Sequence, residues 1–162
     1  MEKIYNFQKN DIFSDWIFNN PNACDKKKVK EFNKWLKENQ ETYVELFHGT
    51  GSKVPVLSEG LKRTSAKTKK SLQSQTGFVY LSIYSSMAKT FGSLAYPYDK
   101  PFVYKIKIKI KDLKADLDQL NNKRYWSEDK SLGNSLAESI IAGSGVRVKR
   151  DICIYEIKLN KN

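Results

Sequence analysis

The chain has 162 residues, 40% of them apolar and 12% aromatic, with a net charge of +11. That length suffices to bury roughly 70% of the unfolded surface in one core, and the apolar content excludes a disordered polyelectrolyte. Cys24, Cys153 and a single histidine exclude a disulfide framework and argue against a zinc centre of ordinary composition. The first residues lack the basic-then-apolar layout of a signal peptide, and no run approaches a membrane span, so cytoplasmic residence without membrane contact is the expectation. The charge has two open readings: attraction to polyanions, or a lysine-rich composition of solvated side chains.

In chain order, Ile12, Phe13, Trp16 and Ile17 recur at helical spacing and predict a helix over residues 11–20. Asp25 can cap a second helix, in which Val29, Phe32, Trp35 and Leu36 form an apolar stripe suited to core packing. Strands follow at 43–48 and 77–82, and then a short helix over about 85–94 with Ser85 as its cap. Residues 102–111 set Val103, Lys105, Lys107 and Lys109 against Tyr104, Ile106, Ile108 and Ile110, the period of a half-buried strand with one wet basic face. Those lysines read first as solvation and as protection of a sheet edge, with tracking of a phosphate backbone as the alternative. Strands at 139–142 and 152–159 complete the set.

Polar stretches at 62–76 and 121–136 read as loops, which at this length carry function or lack order. Internal repeats, a Walker loop and a Gly-x-Gly-x-x-Gly turn are all missing, which argues against a conventional nucleotide-binding α/β fold. The expectation is one domain over 1–162, with helices in 1–42 and a β-rich core over 43–159.

Three segments bear the residues of chemical interest. Phe47-His48-Gly49-Thr50 ends the first strand, and a glycine there suits close approach of backbone to a ligand. Gly77-Phe78-Val79-Tyr80-Leu81-Ser82 runs into Ser85-Ser86-Met87-Ala88-Lys89-Thr90-Phe91, and Glu138 opens the run Ser139-Ile140-Ile141-Ala142. In this order the segments resemble the His-Tyr-Glu branch of the ADP-ribosyltransferase superfamily, the diphtheria-toxin and poly(ADP-ribose) polymerase type, over roughly residues 44–159. That family begins with a strand-borne His-Gly-Thr or His-Gly-Ser. It continues with an aromatic pair spaced Tyr-x10-Tyr and ends with a glutamate starting a strand. Tyr80 and Phe91 have the family spacing, with phenylalanine in the second place.

The resemblance implies an α+β, ADP-ribosyltransferase-like fold with a split, mainly antiparallel β core and an N-terminal helical segment. It implies NAD as co-substrate, without a metal. His48, Tyr80 and Glu138 are then the catalytic set, and His48, Gly49, Thr50, Tyr80, Ser82 and Phe91 hold NAD. The chemistry fits these residue types on its own terms. Cleaving the nicotinamide–ribose bond builds an oxocarbenium-like centre; two aromatic faces can clamp the cationic ring, and a carboxylate can stabilise the developing charge. The arginine-modifying branch needs a Glu-x-Glu pair, whereas Leu136 stands two residues before Glu138. The motifs of the RNA 2′-phosphotransferases are missing as well.

Family members read their target with the loop before the catalytic glutamate. Arg124, Tyr125 and Trp126 there, with Lys69 and Lys70 from the other loop, suit single-stranded nucleic acid, whose bases stack on rings while phosphates meet cations. The expected function is transfer of ADP-ribose to RNA or single-stranded DNA, in a toxin of a toxin–antitoxin or phage-defence module with an antitoxin as possible partner. Transfer to a host protein and a non-catalytic nucleic-acid-binding domain remain open. Replacing Lys69 and Lys70 together by glutamate is expected to weaken polyanion binding at low salt while sparing NAD hydrolysis; unchanged binding would make both lysines merely solvated.

Overall fold

Apolar residues recurring every third or fourth position wind the segment after Asp25 into helix α1 (Lys26–Glu38), burying Phe32 and Leu36 while Val29 and Trp35 pack at the margin. Its C-terminal carbonyls are taken up locally, since Asn39 Nδ2 donates to Trp35 O at 2.8 Å and Gln40 Nε2 to Leu36 O at 2.7 Å. The computed structural model describes residues 3–8, 26–63, 77–121 and 133–161. Within them, strands β1 (Ile4–Tyr5), β2 (Tyr43–Gly51), β3 (Val79–Ser82), β4 (Pro101–Lys109), β5 (Leu113–Ala115), β6 (Gly145–Val148) and β7 (Ile157–Leu159) form one sheet. The spatial order is β5-β6-β3-β2-β4-β7, with β1 beside β2. Every pairing is antiparallel except β1 with β2. Four further helices are α2 (Val56–Glu59), α3 (Ser85–Ala95), α4 (Leu117–Leu120) and α5 (Leu136–Gly143). The α+β class and the mainly antiparallel sheet thus agree with the sequence reading.

The main core lies on one face of the sheet. Val44, Leu46, Ile106, Ile108, Leu81 and Val146 pack there with Phe32 of α1, Ile140 and Ile141 of α5, and Phe7. Phe7 and Phe32 are fully buried and meet edge to face at 6.0 Å, each burial contributing roughly 1.5–3 kcal/mol. On the other face α3 covers Phe47 and Val103 through Ala88. That contact needs two glycines. A Cβ on Gly49 would stand 1.6 Å from the Ala88 carbonyl oxygen, and one on Gly92 would stand 2.7 Å from the Thr50 nitrogen.

Several expected elements differ. Residues 139–142 are the middle of helix α5, not a strand, because Ser135 and Glu138 form a reciprocal capping box ahead of a helically spaced set, Ala137, Ile140 and Ile141. A short apolar run carries either reading, and the cap decides between them. β2 continues past His48 to Gly51, held by β4 along its whole length. β4 ends at Lys109 and passes into a 3₁₀ turn, Ile110–Asp112. Of 152–159 only β7 pairs as a strand; Ile152 makes a single bridge to Leu61, and a 3₁₀ turn, Ile154–Glu156, intervenes. Tyr84 rather than Ser85 caps α3, and the hydroxyl of Ser82 accepts the Tyr84 N–H at 3.3 Å. Strands β1, β5 and β6 were not foreseen. The helix over 11–20, the Asp25 cap, Lys69, Lys70, Arg124, Tyr125 and Trp126 lie outside the described residues. Among the described residues no helix is long and apolar enough to cross a membrane.

Because Ala88 O is a main-chain atom, Gly49→Ala is expected to displace α3 and cost about 1–3 kcal/mol or more, lowering the thermal midpoint by roughly 2–4 °C per kcal/mol. Gly92→Ala should behave likewise. An unshifted melting curve for either variant would show that α3 does not depend on this approach.

Candidate active site

β2 pairs with β4 from Tyr43↔Lys109 through Gly51↔Pro101, but with β3 through Phe47↔Ser82 alone. Beyond that couple the two strands part. Alternate residues of an antiparallel strand aim their N–H and C=O groups sideways, so the parting leaves main-chain groups that need other partners. His48 supplies one. Its Nδ1 lies 2.8 Å from the Tyr80 carbonyl oxygen, across the opening.

A carbonyl only accepts, so Nδ1 carries the proton. Burial pulls the imidazole pKa below its usual 6.5, outweighing the upward pull of the bond to Tyr80. The ring is therefore neutral near pH 7, with Nε2 as an acceptor. A sugar hydroxyl is the kind of donor such a nitrogen can receive.

The side chain of Tyr80 leads to a second group. Its hydroxyl donates to the Asp118 carboxylate. Asp118 sits in α4, which starts where Asp116 caps it and accepts the Gln119 N–H at 3.2 Å. The other oxygen of Asp118 lies 3.5 Å from Nη1 of Arg147. Arg147 stands opposite Tyr80 in the β3–β6 register and is buried, with its guanidinium 4.0 Å above the Phe78 ring. The Phe78 and Tyr80 rings are neighbours at 6.4 Å. Burial pushes the Asp116 carboxyl up, and the nearby charge of Asp118 adds to that, while the Gln119 N–H and Arg147 act in the opposite sense. His48, Tyr80, Asp118 and Arg147 thus form one connected series.

Of the other expected residues, Gly49, Thr50 and Ser82 lie beside His48 and the Phe47↔Ser82 couple, while Glu138 and Phe91 are on helices. Glu138 is on the first turn of α5, not at a strand start, and its carboxylate is engaged at that helix's own beginning. It accepts from Ser135 Oγ at 2.6 Å and from the Gly133 N–H. The close approach allowed by Gly49 is to α3, where a ligand was expected. Thr50 is buried in β2, and the Ser82 hydroxyl donates to Ser144 O at 3.3 Å while serving Tyr84. Phe91 lies on α3 with 37% of its surface open.

Asp118 and Arg147 were not singled out from sequence. The Asp116 cap before Leu117 and Leu120 is a legible helix start, and Val146-Arg147-Val148 is a legible alternation. Neither says that the two segments meet Tyr80. No family model and no curated protein matches the chain.

The chain has one histidine, so its folding linkage is separable. A base whose folded pKa is depressed contributes stability that is full above its unfolded value, 6.5, and is lost as pH falls toward the folded value. Asp116, with a raised carboxyl, has the opposite sign, contributing fully below 3.8 and losing that as pH rises through its folded value. Denaturant midpoints of wild type minus His48→Gln, measured from pH 8 to 5, should therefore narrow below about 6.5. A difference that stays constant would mean that His48 titrates as in the unfolded chain.

Proposed function

We propose that the chain is an NAD-dependent ADP-ribosyltransferase that breaks the nicotinamide–ribose bond and passes ADP-ribose to RNA or single-stranded DNA. The observation that carries this reading is the opening between β2 and β3, bridged from His48 to the Tyr80 carbonyl, with a carboxylate bound to the Tyr80 hydroxyl. A flat amide-bearing ring and a ribose need main-chain polar groups, a hydroxyl acceptor and an aromatic face. The opening offers strand edges, His48 Nε2 and Tyr80.

In this reading NAD enters as substrate, with its nicotinamide against Tyr80 and Phe91 and a ribose hydroxyl donating to His48. The C1′–N bond breaks with its electron pair passing to nicotinamide, which leaves neutral. Positive charge gathers on C1′ and the ring oxygen. A nucleophilic oxygen or nitrogen of the acceptor forms the new C1′ bond, and its proton passes to a carboxylate. Asp118 is the carboxylate we assign, because it accepts from the Tyr80 hydroxyl and so stands at the aromatic face assigned to nicotinamide. Glu138, engaged in the cap of α5, keeps a structural role. The net charge of +11 supports a polyanionic acceptor. A basic enzyme acting on nucleic acid suits a toxin of a toxin–antitoxin or phage-defence module, whose antitoxin would be its protein partner.

Incubation with labelled NAD plus single-stranded RNA, single-stranded DNA or lysate protein tests the assignment. Label is expected on nucleic acid with wild type, to fall at least about 100-fold with Asp118→Asn, and to persist with Glu138→Gln. Loss with Glu138→Gln but not Asp118→Asn would return the carboxylate role to Glu138. Absence of both label and released nicotinamide with wild type would overturn the enzymatic reading.

A further inference from the structure

Tyr80 enters the proposed reaction through its ring, but its hydroxyl is engaged as well, and by the carboxylate assigned to receive the acceptor's proton. Asp118 is held from more than one side. One oxygen accepts from the Tyr80 hydroxyl, and the other lies 3.5 Å from Nη1 of Arg147. The Asp118 side chain is 15% exposed and that of Arg147 7%. The helix that bears Asp118 is also fixed at its start. The Asp116 N–H donates at 2.8 Å to the hydroxyl of Ser139, which in turn donates to Gly145 O at 2.5 Å. Ser139 is buried in α5 and Gly145 opens β6, so α4 is tied both to that helix and to the strand carrying Arg147.

A proton must leave the acceptor as its oxygen or nitrogen closes on C1′. To reach Asp118 directly, the attacking atom would have to come within about 2.6–3.2 Å of a carboxylate that is largely covered. The Tyr80 oxygen already stands on that carboxylate, and a phenol oxygen accepts hydrogen bonds as well as donating one. Nicotinamide is joined to C1′ by a single bond, so stacking it on the Tyr80 face brings C1′ toward the rim of the phenol ring. A neutral phenol is a poor base. It takes up a proton only as its own departs to a stronger acceptor, and Asp118 is that acceptor.

We propose that the Tyr80 hydroxyl is the proton relay of the transfer step, standing between the acceptor and Asp118. The relay rests on the transfer reading and assigns the route of one proton within it. The acceptor's lone pair forms the bond to C1′ while the C1′–N electron pair goes to nicotinamide. The acceptor's proton passes to Tyr80 Oη, the phenol proton passes to Asp118 Oδ2, and the phenol ends as it began. Asp118 afterwards releases its proton to water. A double transfer of this kind needs its donor and acceptor atoms fixed beforehand, which the ties of α4 to Ser139 and of Asp118 to Arg147 supply. Removing the hydroxyl leaves the ring, and the bond from His48 to the Tyr80 carbonyl, in place, so stacking and relay are separable.

The test is single-turnover transfer of labelled ADP-ribose from NAD to a single-stranded RNA by the full chain, in mixtures of light and heavy water. Two protons moving together give a curved dependence of rate on deuterium fraction, and wild type is expected to show that curve. Tyr80→Phe should keep NAD affinity within about twofold by titration while transfer falls about 100-fold, and adding Asp118→Asn to it should lower transfer little further. Transfer by Tyr80→Phe at the wild-type rate would overturn the relay. So would a straight-line dependence in wild type, which would leave the hydroxyl only positioning Asp118; this measurement decides the matter even if Tyr80→Phe folds poorly. Absence of label on RNA with wild type would overturn the transfer reading itself, an outcome distinct from transfer that survives loss of the hydroxyl.

Discussion

An antiparallel strand pair that holds through one residue couple must satisfy its remaining main-chain groups by other means, and this requirement organises the centre of the molecule. β2 pairs with β4 along its whole length but with β3 through Phe47↔Ser82 alone. The carbonyl of Tyr80 lies on the side of the opening, 2.8 Å from His48 Nδ1. An unmet buried carbonyl costs about 1–3 kcal/mol, and the His48 ring meets it from the side. The same bond fixes which ring nitrogen bears the proton and so what Nε2 can do.

From Tyr80 the order passes outward by side chains rather than main chain. The Asp118 carboxylate is bound on one side by the phenol and faced on the other by a buried guanidinium. A buried cation and anion depend on each other, since removing either leaves an uncompensated charge in a low-dielectric setting. Phe78 contributes through its ring face, over which the Arg147 guanidinium stacks. Glu138 illustrates the contrary case. The same functional group at a helix start is engaged by the Ser135 hydroxyl and the Gly133 N–H, while its neighbour Ser139 accepts the Asp116 N–H at the cap of α4.

The two faces of the sheet divide the work. One is a continuous apolar core under α1 and α5; the other, among the described residues, is covered where Gly49 and Gly92 let α3 settle on β2. Around that helix the second face is polar, with the Tyr80 series on the β3–β6 side and the lysines on the β4–β7 side.

Sequence alone determined what depends on near neighbours. The stripe of α1, the alternation of β4 and the strand character of residues around His48 and Tyr80 all follow from side-chain period, which the local backbone enforces. The order His48, Tyr80, Glu138 could be framed from sequence as well, but the helix that carries Glu138 could not. Glu138 before an apolar run reads equally as a strand start or as the third residue of a capped helix, and only the Ser135 bond distinguishes them. Asp118 comes near Tyr80 because β5, which leads into α4, pairs with β6 and β6 pairs with β3, bringing together residues far apart in the chain. Likewise the lysine row was visible as a row, but that β7 pairs with only Tyr104–Ile106 of its strand is a property of strand order. Periodicity is local and survives in the sequence; which strands become neighbours is settled by the collapse of the whole core, and the site was built by those neighbours.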